Sequence, residues 1–281
     1  MIWIVTDSAQ ELKEEEQEGL RVVSLPICVN EKLLDHPIEN EDFFALLEEE
    51  SNVLSTSQPS PSAFEAVFEE LTSRGDEVIA LLLSSSLSGT YNSARLALLD
   101  HEAWQENVHL IDSGQACLSQ SVLVARALEL RNAGKSAKEI IETIEKEKKQ
   151  VRLFAMLPTL KYLKKGGRIS PAKAALADLA GVRALVTIDE NGEITACAKT
   201  RGTKKGIRRV AELAADCGID ENRPVFVGYT GLDEQPMRDL QNALREVVGQ
   251  EILAQMAAIS QMLSVHVGPG ACGIAFLPRE D

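Results

Sequence analysis

Apolar and polar positions alternate in blocks along the first 150 residues, and the blocks repeat. Ile2 to Val5 is a short apolar run that ends in the polar turn Thr6-Asp7-Ser8. A strand is expected there, followed by an acid-rich helix that those residues would cap. Arg21 to Val29 is a second β-rich run, and Asn40 to Glu50 has the spacing of an amphipathic helix with Phe43, Phe44, Leu46 and Leu47 on its apolar side. A polar loop from Ser55 to Pro61 leads into a helix reaching about Ser73, with Ser60 as cap and Pro61 in the first turn. Val78 to Leu83 is uninterruptedly apolar, as a parallel strand covered on both faces should be. Its end, Ser84 to Thr90, is hydroxyl-rich and opens a helix through Asn92 to Leu99. Val108 to Ile111 repeats the pattern, ending in Asp112-Ser113 before a long helix from about Ser119 to Arg131. Gly134 closes that helix, and Ser136 opens another that ends near Gln150.

Three successive units of strand, polar loop and helix predict a doubly wound parallel sheet, whose ligands sit at the carboxyl ends of the strands. Beyond Gln150 the pattern changes. A strand at Val151 to Met156, a helix leading to Lys164-Lys165-Gly166-Gly167-Arg168 and an Ala-rich helix are expected. A hairpin follows, Ala184 to Ile188 and Ile194 to Lys199, turned through Asp189-Glu190-Asn191-Gly192. A helix from Lys204 to Cys217, a strand at Val225 to Tyr229, a further helix and closing strands around Ile252 to Ala258 and Gly273 to Leu277 complete an α+β half with a mixed sheet. The expected fold class is therefore α/β with two domains, 1–150 and 151–281.

Composition narrows the function. A chain of 281 residues with net charge −14 repels phosphate backbones and anionic membranes, which argues against nucleic-acid binding. Five cysteines without a C-x-x-C pair, together with an N-terminus lacking a basic and apolar leader, predict reduced thiols and a cytoplasmic protein without stable membrane insertion. His36, His101 and His109 lack metal-ligand spacing, so no zinc site is expected. Gly268-Pro269-Gly270-Ala271-Cys272-Gly273 is a formal G-x-G-x-x-G, but no helix is expected after it, which rules against a dinucleotide fingerprint.

The hydroxyl-rich loops carry the candidate chemistry. Thr56-Ser57 and Ser84 to Thr90 offer hydroxyls and backbone amides at helix starts, suited to one anion. His266, just before Gly268 and Gly270, which allow close backbone approach, adds a donor, and a cation if protonated. For any one of these serines helix capping is the stronger reading, and it is the whole constellation at strand ends that favours a ligand site. A Ser–His pair also leaves an acyl-ester hydrolase open, although no G-x-S-x-G elbow is present. Another small-anion-binding module is a further alternative. In the acidic chain, basic residues gather at Lys161 to Lys173 and Lys199 to Arg209; Arg168 and Arg201, each beside glycine, are presented for a carboxylate- or phosphate-bearing partner.

Thr6-Asp7-Ser8, Thr56-Ser57-Gln58-Pro59-Ser60, Ser84 to Ala94, Leu160 to Ser170 and His266 to Ala271 together resemble the DegV family, whose members include the fatty-acid-binding subunits (FakB) of bacterial fatty acid kinase. The resemblance spans nearly the whole chain. It implies a long-chain fatty acid, of the palmitate type, buried between the two domains, with its carboxylate held by Thr56 and Ser88 and His266 close by. To these the anion argument adds the backbone amides of Ser57 and Gly89. The resemblance further implies that this chain is not itself an enzyme and needs no cofactor or metal. It would present the lipid through Arg168 and Arg201 to a separate kinase subunit (FakA-like) that feeds phospholipid synthesis. Arg183-Ala184, where many relatives carry Lys-Pro, and Leu34 to Ile38, in place of a Tyr- and Gly-bearing turn, depart from the family pattern; they bear on chain-length and partner preference.

Overall fold

The computed structural model describes residues 1–34, 36–99, 101–170 and 181–280. The expected Ala-rich helix falls within 171–180, outside the described residues.

Four parallel strands, β1 (Ile2–Asp7), β2 (Leu20–Val23), β6 (Glu77–Leu82) and β7 (Val108–Asp112), form a sheet in the order β2-β1-β6-β7. The apolar run of β6 is explained by what covers it. Val78, Ala80 and Leu82 pack with Phe64, Phe68 and Ala94 of helices α2 (Pro61–Thr72) and α3 (Thr90–Leu99). Ile79 and Leu81 pack on the other face with Val122, Ile140 and Ile144 of α4 (Leu118–Asn132) and α5 (Ala137–Glu147). Helices on both faces make this the doubly wound sheet that the pattern predicts. The Ser60 hydroxyl accepts from the Ala63 amide and Pro61 stands in the first turn, while Ser136 and Glu139 form a capping box.

The second sheet has six strands in the order β10-β9-β8-β13-β11-β12. They are β8 (Arg152–Leu157), β9 (Val182–Ile188), β10 (Ile194–Arg201), β11 (Val225–Tyr229), β12 (Gln255–Ala258) and β13 (Cys272–Phe276). All pairs are antiparallel except β11 with β12, so the sheet is mixed. One face, including Met156, Leu185, Val227 and Ile274, packs under α7 (Thr203–Asp216) and α8 (Gln235–Val248). The opposite face meets the first half. There α4 lies between the two sheets, sharing one core with Ile4 and Ile79 on one side and Phe226, Ala275 and Leu277 on the other. A helix enclosed in this way loses its polar stripe, and Ser119, Gln120 and Ser121 are buried along with its leucines and valines.

Two expectations are corrected. The acid-rich stretch after Ser8 forms only a 3-10 turn at Glu14–Glu16, with no buried residue. It has no apolar face to bury, and Glu14 instead clamps the edge strand β2, accepting from the Arg21 guanidinium at 2.6 Å and the Val22 amide at 2.9 Å. The run Arg21 to Val29 is two strands broken at Pro26, and the second, β3 (Ile27–Val29), belongs to a separate small sheet with β4 (Lys32–Leu33) and β5 (Leu54–Thr56). Thr56 therefore ends a strand and is not in a free loop. In addition, a short helix α9 (Gln261–Val267), not foreseen in the sequence, carries His266. The five cysteines are free thiols, Cys272 buried and Cys197 exposed.

Candidate functional site

Between the carboxyl ends of the parallel strands and the inner face of the mixed sheet lies a cavity of about 110 Å³. Its body is apolar. Leu83 and Ala116 come from the loops after β6 and β7, Ala155, Val186 and Ile194 from β8 to β10, and Leu263 from α9. Side chains alternate across a strand, so Ala155 and Val186, which are register partners, turn to the cavity while Met156 and Leu185 turn to the opposite core.

Four polar residues, Thr56, Ser88, Arg168 and His266, gather at one region of the wall. Four separate segments bring them there. Thr56 is placed by its pairing with Ile27, and its Oγ1 lies 2.7 Å from His266 Nε2 at the end of α9. The short helix α6 (Lys161–Lys165) ends at Gly166, which packs so closely on the His266 ring that a side chain there would strike Nδ1. Arg168 follows, half-buried, donating from Nη1 to the Gly166 carbonyl at 2.6 Å and from Nε to the Leu87 carbonyl at 3.1 Å. Ser88 donates its amide to the Ser84 carbonyl, and its hydroxyl lies 2.9 Å from Thr90 Oγ1 and 3.3 Å from the Thr90 amide. It thus caps α3 as well as facing the cavity.

The electrostatics follow from burial. Desolvation first, and then the Arg168 charge, lower the His266 pKa to about 4. At neutral pH the ring is uncharged, so the positive charge at the mouth is carried by Arg168. His266 Nδ1 is buried without a hydrogen-bond partner among the described residues, at the place where a Ser–His–acid triad has its orienting carboxylate. The oxygen that His266 touches belongs to a threonine. Below the mouth, Asp7 is fully buried and accepts from the Ala9 and Leu83 amides at 2.9 and 2.8 Å and from Gln120 Nε2 at 3.2 Å. Burial raises its pKa to about 6. Asp7 ties together the two loops that supply Ala9 and Leu83 to the wall and does not itself line the cavity.

Of the residues singled out in the sequence, Thr56, Ser88 and His266 meet at the cavity. Arg168 joins them as part of its wall, held by backbone carbonyls and not projecting freely for a partner. Arg201, at the end of β10, is exposed and away from the lining. Ser57 and Gly89 lie outside the lining as well. The Ser57 amide donates to the Pro26 carbonyl at 3.1 Å, and Gly89 packs against the Gln58 carboxamide. The apolar wall had no local signal in the sequence, because its residues become neighbours only through strand register. Among the described residues there is no cluster of groups that could hold a metal ion, and no helix is long and apolar enough to cross a membrane.

Comparisons with known proteins agree with this fold. A family model described as "Uncharacterised protein, DegV family" matches residues 1–279. A DegV domain-containing protein of Caldanaerobacter subterraneus subsp. tengcongensis is 32% identical over 283 residues, covering 98% of each chain. Among solved structures, one titled as fatty acid binding of a DegV family protein from Thermus thermophilus superposes with a TM-score of 0.86 at 27% identity, over 98% of this chain and 99% of that one. The Fatty Acid Kinase (Fak) B3 protein of Streptococcus pneumoniae, loaded with linoleic acid, shares the fold with a TM-score of 0.84 at 21% identity, over 99% of this chain and all (100%) of that one. With the whole-length family match and these two sheets closed on one apolar cavity, the chain belongs to the DegV family.

Proposed function

We propose that this protein binds one long-chain fatty acid, with the acyl tail in the apolar cavity and the carboxylate at Thr56, Ser88 and His266. The observation that carries the reading is the cavity itself, apolar along its body and polar where the Thr56–His266 pair and Arg168 meet. A hydrocarbon tail gains about 0.8 kcal/mol per buried CH₂, so roughly 15 methylenes offer about 12 kcal/mol before association and ordering costs. The body of the cavity therefore supplies affinity and the mouth supplies orientation. A neutral His266 can donate from Nε2 to Thr56 Oγ1, which leaves the Thr56 hydroxyl hydrogen for a carboxylate; the Ser88 hydroxyl offers a second donor, and the Arg168 charge favours the ionised acid.

The finer reading is that the bound carboxylate is presented to a separate kinase subunit that makes the acyl phosphate, while this chain performs no chemistry. The name of the pneumococcal neighbour and the exposed Arg201 support it. Titration of delipidated protein with a long-chain fatty acid tests the binding site. Thr56→Ala with Ser88→Ala is expected to weaken binding at least tenfold, and unchanged affinity would remove the head-group assignment. Acyl-phosphate formation by an added fatty acid kinase catalytic subunit, dependent on this chain and reduced by Arg201→Ala at unchanged lipid affinity, tests the presentation step.

A further inference from the structure

The β9–β10 hairpin does more than extend the second sheet. Among the described residues, β9 pairs with β8 through Ala184, Leu185 and Val186. Thr187 and Ile188 continue past that edge, paired only with Thr195 and Ile194 of β10. The hairpin thus leaves the sheet as a two-stranded ribbon. At the level where it leaves, β10 has a bulge between Ala196 and Ala198, a device that bends and twists a strand locally. The underside of the ribbon is mainly apolar: Val186, Ile188 and Ile194 line the cavity together with Thr187, and Ile188 packs with Leu25, Leu83, Ala116 and Met262. Its tip rests on the first half. Ser84 Oγ donates to the Gly192 carbonyl at 2.8 Å and Ser86 Oγ to the Asn191 carbonyl at 2.7 Å. Gly192 has φ of +74° and sits so close to Gly114 that a side chain would meet its Cα and carbonyl at 3.3 Å. The loop receiving the tip is the one that carries Ser88 and offers the Leu87 carbonyl to Arg168.

We propose that residues 187–195 are a flap over the acyl cavity, hinged at the 196–198 bulge and latched by Ser84 and Ser86. A two-stranded ribbon is marginal without neighbours, so the apolar underside and the latch contribute to holding it closed. Opening it lifts Ile188 and Ile194 from the cavity and frees the loop that bears Ser88, which links tail release to head-group release. This inference rests on the fatty-acid reading and adds the route by which the ligand enters and leaves.

The test follows the exchange of cis-parinaric acid, a fluorescent long-chain polyene acid, against excess oleate. Ser86→Ala, at a solvent-exposed hydroxyl, is expected to speed exchange roughly fivefold through loss of one hydrogen bond. Ser86→Cys with Asn191→Cys, in a Cys197→Ser background, is expected to slow exchange at least tenfold when oxidised and to recover on reduction. Parinarate that binds but exchanges at the unmodified rate in both the Ser86→Ala protein and the oxidised cross-linked protein would overturn the flap and leave the binding site standing. Failure of the unmodified protein to bind parinarate would overturn the fatty-acid reading and the flap with it.

Discussion

The mouth and the body of the cavity are built by opposite means. The body is made of small and branched apolar side chains, each replaceable by another of similar size, from the loops after β6 and β7, from α9 and from strands β8 to β10; the opposite face of β8 and β9 already belongs to another core. The mouth is made of four polar side chains on four segments far apart in sequence, each fixed by specific partners: Thr56 by His266 across 210 positions, Arg168 by two carbonyls, Ser88 by Thr90. On the proposed reading, the contrast separates two kinds of contribution. A change in the body should alter affinity by an amount that depends on the tail, and a change in the mouth should weaken binding by an amount independent of tail length and alter which way the lipid lies.

The strongest way to break the comparison is a charge in the body. Ile194→Asp, at a half-buried position on the edge strand, is expected to weaken fatty-acid binding by a hundredfold or more, since a desolvated carboxylate would face the tail; calorimetric titration against the unmodified protein measures it. Next comes the mouth. Thr56→Ala alone should weaken binding about tenfold, the scale of one hydrogen bond to a charged group, and should do so equally for acids of different chain length. A loss that grew with chain length would show that Thr56 belongs to the tail site.

The pH response sharpens the same division. His266 has its folded-state pKa lowered to about 4. For a base this stabilisation is fully present above the unfolded value near 6.5 and is lost as pH falls from there toward 4. Asp7 and Glu11 act in the opposite sense: burial raises them to about 6 and about 7, so their contributions are complete at low pH and are lost as pH rises through those values. The net profile mixes these terms, and His266→Gln separates them. The melting-temperature difference between unmodified and His266→Gln protein, measured without ligand, should shift against the unmodified protein as pH is lowered from 6.5 to 4. A difference that stays constant across that window would place the titration elsewhere. The smallest effect is expected at Arg201→Ala, which should leave fatty-acid affinity within about twofold, as a solvated side chain outside the cavity should; equilibrium binding checks it.

Much of this architecture was legible along the chain, and the failures have physical causes. Strands β1, β6 and β7 of the parallel sheet announced themselves because burial on both faces favours apolar runs, and helices α2 and α5 because Ser60, Pro61 and Ser136 mark their starts. Thr56, Ser88 and His266 stood out as hydroxyl and imidazole groups in glycine- and serine-rich surroundings, strengthened by the family resemblance. What stayed hidden depends on contacts distant in sequence. The acids at Glu14 to Glu16 suit a helix start, but only the folded chain shows that Glu14 is needed to hold β2. The three-residue strand ending at Thr56 is too short to carry an alternation pattern. The glycines beside Arg168 suggested a presented side chain, whereas the Gly166 carbonyl holds it at the cavity wall. The neutral state of His266 follows from burial that no local motif reveals.

The central claim is that the space between the two sheets holds an acyl chain. Mass spectrometry of the lipid released by organic extraction from purified protein, with the stoichiometry read from native spectra of the intact complex, tests it most directly. The account predicts one long-chain fatty acid per chain, with occupancy reduced in Thr56→Ala/Ser88→Ala protein. A preparation that carries no lipid and, after delipidation, takes up no long-chain fatty acid would contradict it.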